Sequence, residues 1–180
     1  MYGKEPQHSE LVKTLTEAGV THMINLLEDE EKTRCHDYRD DYRALRPGMV
    51  FIDFPVPDYS TVDDEASSQL LCSLLRLLHA DPTHCLYVHC WGGHGRSGVV
   101  AASLLGVWHR IPGASALRKL QRVHLLRGHR GDWESPQTDA QRAQVHRLIE
   151  MHTGIHSPFI PRSHDQAEPK REGEEEQSKE

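Results

Sequence analysis

Aromatic side chains make up only 6% of this 180-residue chain. No apolar run is long enough to cross a bilayer: the longest, VVAASLLGVW (residues 99–108), is about half of what a membrane helix needs. Cysteine is sparse too. Cys35, Cys72, Cys85 and Cys90 are irregularly spaced, form no C-x-x-C pair, and follow no readable secretory leader. That excludes a disulfide framework and predicts free thiols in a reducing compartment, the cytoplasm, with nuclear access open. The start lacks a myristoylation signal and the end lacks a prenylation box. There is also no excess of positive charge. The formal net charge is −6, which gives nucleic acid no general docking surface.

The charge is unevenly spread. Residues 164–180, HDQAEPKREGEEEQSKE, hold seven acids against three bases and no large apolar side chain. Such a segment cannot offset its ordering entropy, so residues 157–180 are expected to form a disordered acidic tail behind a single domain spanning 1–156. Fourteen histidines are present, yet their spacing builds no convincing metal site. His79, His84, His89 and His94 recur every five residues, a period of neither helix nor strand. His152 and His156 stand four apart with Gly154 between them and no third ligand nearby. No metal and no cofactor are expected.

Three runs read as buried strands: VTHMINLL (20–27), MVFIDF (49–54) and CLYVHC (85–90). Between and after them come helical patterns. The first follows Ser9 as cap and stops at Gly19; a second covers 62–79, with Asp63 and Asp64 at its acidic start. Others cover 97–108 and 113–126, the latter closing near Gly128. The last spans 135–152, with Ser135 as cap and Pro136 in the first turn. The charged stretch 28–45 reads as a loop with an irregular helix. Strands alternating with helices imply parallel pairing through crossovers, hence an α/β domain.

The chemistry gathers in YVHCWGGHGRSG (87–98). It falls at the carboxyl end of a strand, where α/β sheets place their ligands. Gly92, Gly93 and Gly95 let successive backbone N–H groups curl inward around an anion, and the following helix adds its positive end. Arg96 offers a planar fork that takes two oxygens at once. The loop is therefore shaped for a tetrahedral dianion. The same field favours the thiolate form of Cys90, so the groups that hold phosphate also prepare the sulfur that attacks it. His89 is expected to orient the loop, and the Ser97 hydroxyl to donate to the departing sulfur. The bland alternative, a core cysteine beside a tight turn, requires neither the arginine nor three glycines.

VHCWGGHGRSG resembles the H-C-x5-R-[ST] loop of the cysteine-based protein tyrosine phosphatases, dual-specificity type. GVTHMINLLEDEE resembles their early strand and turn, FPVPDYS their mobile acid loop, and SPQTDAQRAQV the segment that carries a water-positioning glutamine. These motifs occur in the family's order over residues 19 to about 150. The resemblance implies a central, mostly parallel sheet of four to five strands flanked by helices on both faces, and MYGKEPQ begins where an N-terminal strand pair is missing. It implies hydrolysis of a phosphomonoester through a phosphocysteine, without a metal. Cys90 would be the nucleophile, Arg96 the phosphate clamp, and Asp58 the acid and then the base, with Asp53 next in line. Trp91, Gly92, Gly93, His94 and Gly95 would complete the phosphate cradle, His94 lending partial positive charge. Gln141 or Gln137 would hold the attacking water, although a polar helix face explains both equally well.

The partner would be a phosphorylated protein. The loop carries no lysine, which speaks against a highly charged inositol phosphate, and that substrate stays as an alternative. So does a phosphate-binding scaffold without turnover, whose usual mark, loss of cysteine, arginine or acid, is not met. Sulfur transfer fits poorly because it leaves PVPD and the glutamine segment unexplained. Under oxidation Cys72 or Cys35 could pair with Cys90, whereas Cys85, on the same strand, would be strained.

Overall fold

The computed structural model describes residues 7–127 and 134–161. Three parallel strands form its centre: β1 (His22–Asn25), β2 (Val50–Asp53) and β3 (Leu86–His89), side by side in the order β2-β1-β3. The register sets Met23 beside Phe51 and Tyr87, and Ile24 beside Ile52 and Val88. Successive strand residues point to opposite faces. Met23, Phe51 and Tyr87 accordingly join Val12, Val20, Tyr38 and Tyr42 in one core. Ile24, Ile52 and Val88 join Leu26, Val56, Leu74 and Cys90 in another. Burial on both faces is why these strands read as nearly unbroken apolar runs.

Helices supply the covers. On the Met23 face lie α1 (Gln7–Glu17) and α3 (Arg39–Leu45), preceded by the single turn α2 (Asp29–Lys32). On the Ile24 face lie α4 (Asp64–Ala80) and α5 (Arg96–His109), and α6 (Gly113–Leu125) and α7 (Asp139–Thr153) pack against α5. The α5–α7 approach is close enough to demand glycine: a Cβ on Gly106 would stand 2.1 Å from Ile149 Cδ1.

The α/β class and the flanking of both faces are as expected, but the sheet has three strands among the described residues rather than four to five. Only three segments carry the apolar runs that a doubly covered strand needs; the extra strands came with the resemblance, and the chain ahead of β1 folds as α1. Two caps also differ. Ser9 lies inside α1, which starts at Gln7. The last helix starts at Asp139, where Thr138 accepts from Gln141 N and Gln141 reciprocates in a capping box. Ser135 instead donates through Oγ to the His94 carbonyl at 2.7 Å. Asp63 does cap α4, accepting from Ala66 N at 2.8 Å. After α7 the Ser157 carbonyl returns to 2.6 Å from His146 Nδ1. Gly128, and residues 162–180 with most of the acidic tail, lie outside the described residues.

Candidate active site

Strand β3 ends at His89 and α5 starts at Arg96, so Cys90 to Gly95 form the connecting loop. Its curl is set by Gly93, at φ +71°, a left-handed conformation that a side chain disfavours. Gly95 is required for another reason: a Cβ there would come within 2.7 Å of Gln137 Oε1 and 2.9 Å of Gln141 Oε1. From outside, Arg127 Nη1 donates to the Gly93 carbonyl at 2.8 Å.

Cys90 is buried, at 4% exposure, with its Sγ 3.5 Å from Ser97 Oγ. The hydroxyl is thus within hydrogen-bond reach of the sulfur. His89 points to the opposite face, where its Nε2 and the Tyr38 hydroxyl are hydrogen-bonded at 2.6 Å. Burial pushes the His89 imidazole down to about 4, so it is neutral over the physiological range. The bond fixes the strand end from which Cys90 projects.

The Arg96 side chain is 1% exposed. Its Nη1 donates to Glu31 Oε2 at 2.5 Å and to the Val56 carbonyl at 3.1 Å. Nη2 donates to Glu31 Oε1 at 2.9 Å and lies 3.1 Å from Asp58 Oδ1. Through these hydrogen bonds the guanidinium holds the Glu31 carboxyl below the usual carboxylate range. The Nε atom of Arg96 is buried and has no hydrogen-bond partner among the described residues. A buried donor left so costs roughly 1–3 kcal/mol. An anion beside Cys90 would recover that cost.

Asp58 is half exposed, sits in the loop after β2, and also accepts from Tyr59 N at 3.0 Å. Tyr59 itself takes φ +53°, uncommon for a residue with a side chain. The rival acid is spoken for: Asp53 pairs with Arg39 and, at 3.5 Å, with Lys32. Gln141 is fully buried and its amide is committed. Its Oε1 accepts from Gln137 N at 3.1 Å and Thr138 N at 3.2 Å, and its Nε2 donates to the Ser60 carbonyl at 3.1 Å. It therefore ties α7 to the acid loop, whereas Gln137 brings its carbonyl oxygen to Gly95. Trp91 is 47% exposed beside Cys90, and His94 Nδ1 lies 3.0 Å from His124 Nε2 on α6.

Three residues at the site went unread in the sequence, and a fourth, Ser135, was read only as a helix cap. Glu31 hides in the acidic run EDEEK, where one more carboxylate looks like a solvated charge; Tyr38 and Arg127 carry no local signal. Of the other thiols, Cys85 packs on the opposite face from Cys90, and Cys35 Sγ lies 3.2 Å from the Glu31 carbonyl. His152 and His156 do not converge: Nε2 of His152 meets Ser68 Oγ at 2.9 Å and Nδ1 of His156 meets Glu150 at 2.9 Å.

The family model PTP-SAK, described as a Swiss Army Knife protein, DSP-PTPase phosphatase domain, matches residues 1–155. The chain belongs to this family. The phosphatase domain is 30% identical over 169 residues to putative tyrosine phosphatase 197R of Invertebrate iridescent virus 6, covering 92% of this chain and 57% of the viral protein. It thus spans about half the length of the curated relatives it matches, 47% in putative tyrosine phosphatase 067L of Invertebrate iridescent virus 3. Among solved structures, the active form of Tk-PTP matches with a TM-score of 0.63 at 21% identity, over 83% of this chain and 90% of that one. At that level of identity the likeness is one of fold. No helix among the described residues of this phosphatase domain is long and apolar enough to cross a membrane.

Proposed function

We propose that this phosphatase domain hydrolyses phosphate monoesters on proteins, phosphotyrosine among them, through a phosphocysteine. The observation that carries the reading is the buried Nε of Arg96, without a partner among the described residues, at the end of the loop headed by Cys90. In the first displacement the Cys90 thiolate attacks phosphorus, the phosphorus–oxygen bond to the leaving group breaks, and Asp58 gives that oxygen its proton. Arg96 Nε and the loop amides take the equatorial oxygens as charge shifts onto them. Asp58, now on Arg96 Nη2, swings aside to let a second phosphate oxygen onto the fork. In the second displacement water attacks phosphocysteine and Asp58 takes its proton. The sulfur–phosphorus bond then breaks, and the Ser97 hydroxyl stabilises the sulfur released. Gln137, whose amide is not committed as that of Gln141 is, suits the attacking water better.

The test is turnover by the unmodified domain and two variants on phosphotyrosine peptide, phosphoserine peptide and an inositol phosphate. Cys90→Ser should lose activity on every substrate while retaining a phosphotyrosine peptide. Asp58→Asn should lower kcat by about 10²–10⁴-fold with little change in KM. Undiminished turnover by Cys90→Ser would remove the nucleophile from the scheme. Preference for the inositol phosphate would move the substrate out of the protein class.

A further inference from the structure

Away from the reacting sulfur, three side chains from three parts of the chain converge. His8 stands in the first turn of α1, His36 lies in the segment between α2 and α3, and Asp41 is on α3. His8 Nε2 lies 2.9 Å and His36 Nε2 2.8 Å from the same oxygen, Asp41 Oδ2. All three donor atoms fall within 4.8 Å of one another. The imidazole rings meet edge to face, with centroids 4.8 Å apart, and both Nε2 atoms face the one carboxylate oxygen. His8 is buried at 5% exposure, while the His36 side chain is 64% exposed and Asp41 44%. The cluster thus has an anchored inner ligand and an outer side open to solvent.

We propose that His8 Nε2, His36 Nε2 and Asp41 Oδ2 bind a divalent transition metal, zinc foremost, with water as the fourth ligand. Two imidazoles and one carboxylate suit zinc, cobalt or nickel, whereas calcium and magnesium prefer an all-oxygen shell. Bonds of about 2.0–2.1 Å in a tetrahedron put ligand atoms about 3.3 Å apart. The two nitrogen–oxygen spacings therefore open by about half an ångström, which the partly exposed Asp41 and the exposed His36 can supply. Binding moves each neutral imidazole's proton from Nε2 to Nδ1 and needs no other reactant. The site is a staple, distinct from catalysis: it joins α1 to the segment carrying Tyr38, whose hydroxyl meets His89 at the end of β3. Spacing along the chain conceals it, since Asp41 is 33 residues from His8.

Cys90 is itself a metal-binding thiol, so the test uses tag-free Cys90→Ser protein, titrated with cobalt(II) alone. One equivalent should produce the visible absorption of a four- or five-coordinate ion, and zinc should abolish it. A hundredfold excess of zinc over its dissociation constant should raise Tm by about 5–10 °C. Cys90→Ser/His36→Ala, altered at an exposed residue so that folding is preserved, should lose both signals. Absent bands in Cys90→Ser protein, or bands that persist in the double variant, overturn the assignment.

Discussion

Arg96 shows how a single buried side chain organises this site. Its two terminal nitrogens are held by the Glu31 carboxylate, the Val56 carbonyl and Asp58, which leaves the buried Nε as the donor without a partner among the described residues and, in the proposed function, the one for a phosphate oxygen. Without Glu31 the guanidinium would be a buried charge with one fixed partner fewer, free to tilt away from the plane that phosphate requires. Glu31→Gln should therefore lower kcat/KM for an aryl phosphate by about 10–100-fold, and Glu31→Asp, one methylene short, should recover part of it. Equal activity in all three proteins would show that Arg96 holds itself. The contiguous half of this constellation was legible as a group: Cys90, Arg96 and Ser97 sit in eight consecutive residues, and the fold brings Cys90 Sγ to 3.5 Å from Ser97 Oγ. Glu31, 65 residues from Arg96, was not. A carboxylate among carboxylates acquires its meaning only from the partner that folding brings to it.

Between elements, the fold is governed by which helix ends reach the loop. Helix α7 approaches with its amino end. Gln141 links it to the Ser60 carbonyl, and Gln144 donates to the Val62 carbonyl at 2.6 Å, so the limb of the loop that runs from Asp58 into α4 hangs from one helix at two points. Sequence periodicity found α7 but misplaced its start, because Ser135 and Pro136 make as good a start signal as Thr138 with Gln141. The choice was made by Ser135 having a stronger use, its hydroxyl on the His94 carbonyl. The α5–α7 contact offers a separate prediction. Gly106→Ala drives a methyl into Ile149 and should destabilise the domain by about 1–3 kcal/mol, read from the urea midpoint. Activity per folded molecule should stay within about twofold, since Gly106 lies far along α5 from its loop end.

Taken whole, the domain is a sheet with a different core on each face, and the site straddles them: Cys90 belongs to the Ile24 side and His89 to the Met23 side. Both cores were readable from strands that are apolar on both faces. The number of strands was not, because a resemblance conveys a family's usual sheet and not the one this chain builds. The same two-sidedness ties stability to acid. His89 is buried neutral, with its ionisation down at about 4 against an ordinary value of 6.5. The unfolded chain therefore binds a proton between those values that the folded domain refuses. Stability contributed by neutral His89 is fully present above pH 6.5 and declines by about 1.4 kcal/mol per pH unit as pH falls toward 4, below which its loss levels off. Glu31 and Asp64, held low by hydrogen bonds from Arg96 and Arg147, keep their contributions until more acid conditions, through their own depressed ionisations. Urea unfolding measured at half-unit steps from pH 7 to 4 should show this slope, and His89→Gln should flatten it while lowering stability at pH 7. A variant curve parallel to the unmodified one would mean that His89 takes up its proton without unfolding, and that the Tyr38 bond survives the charge.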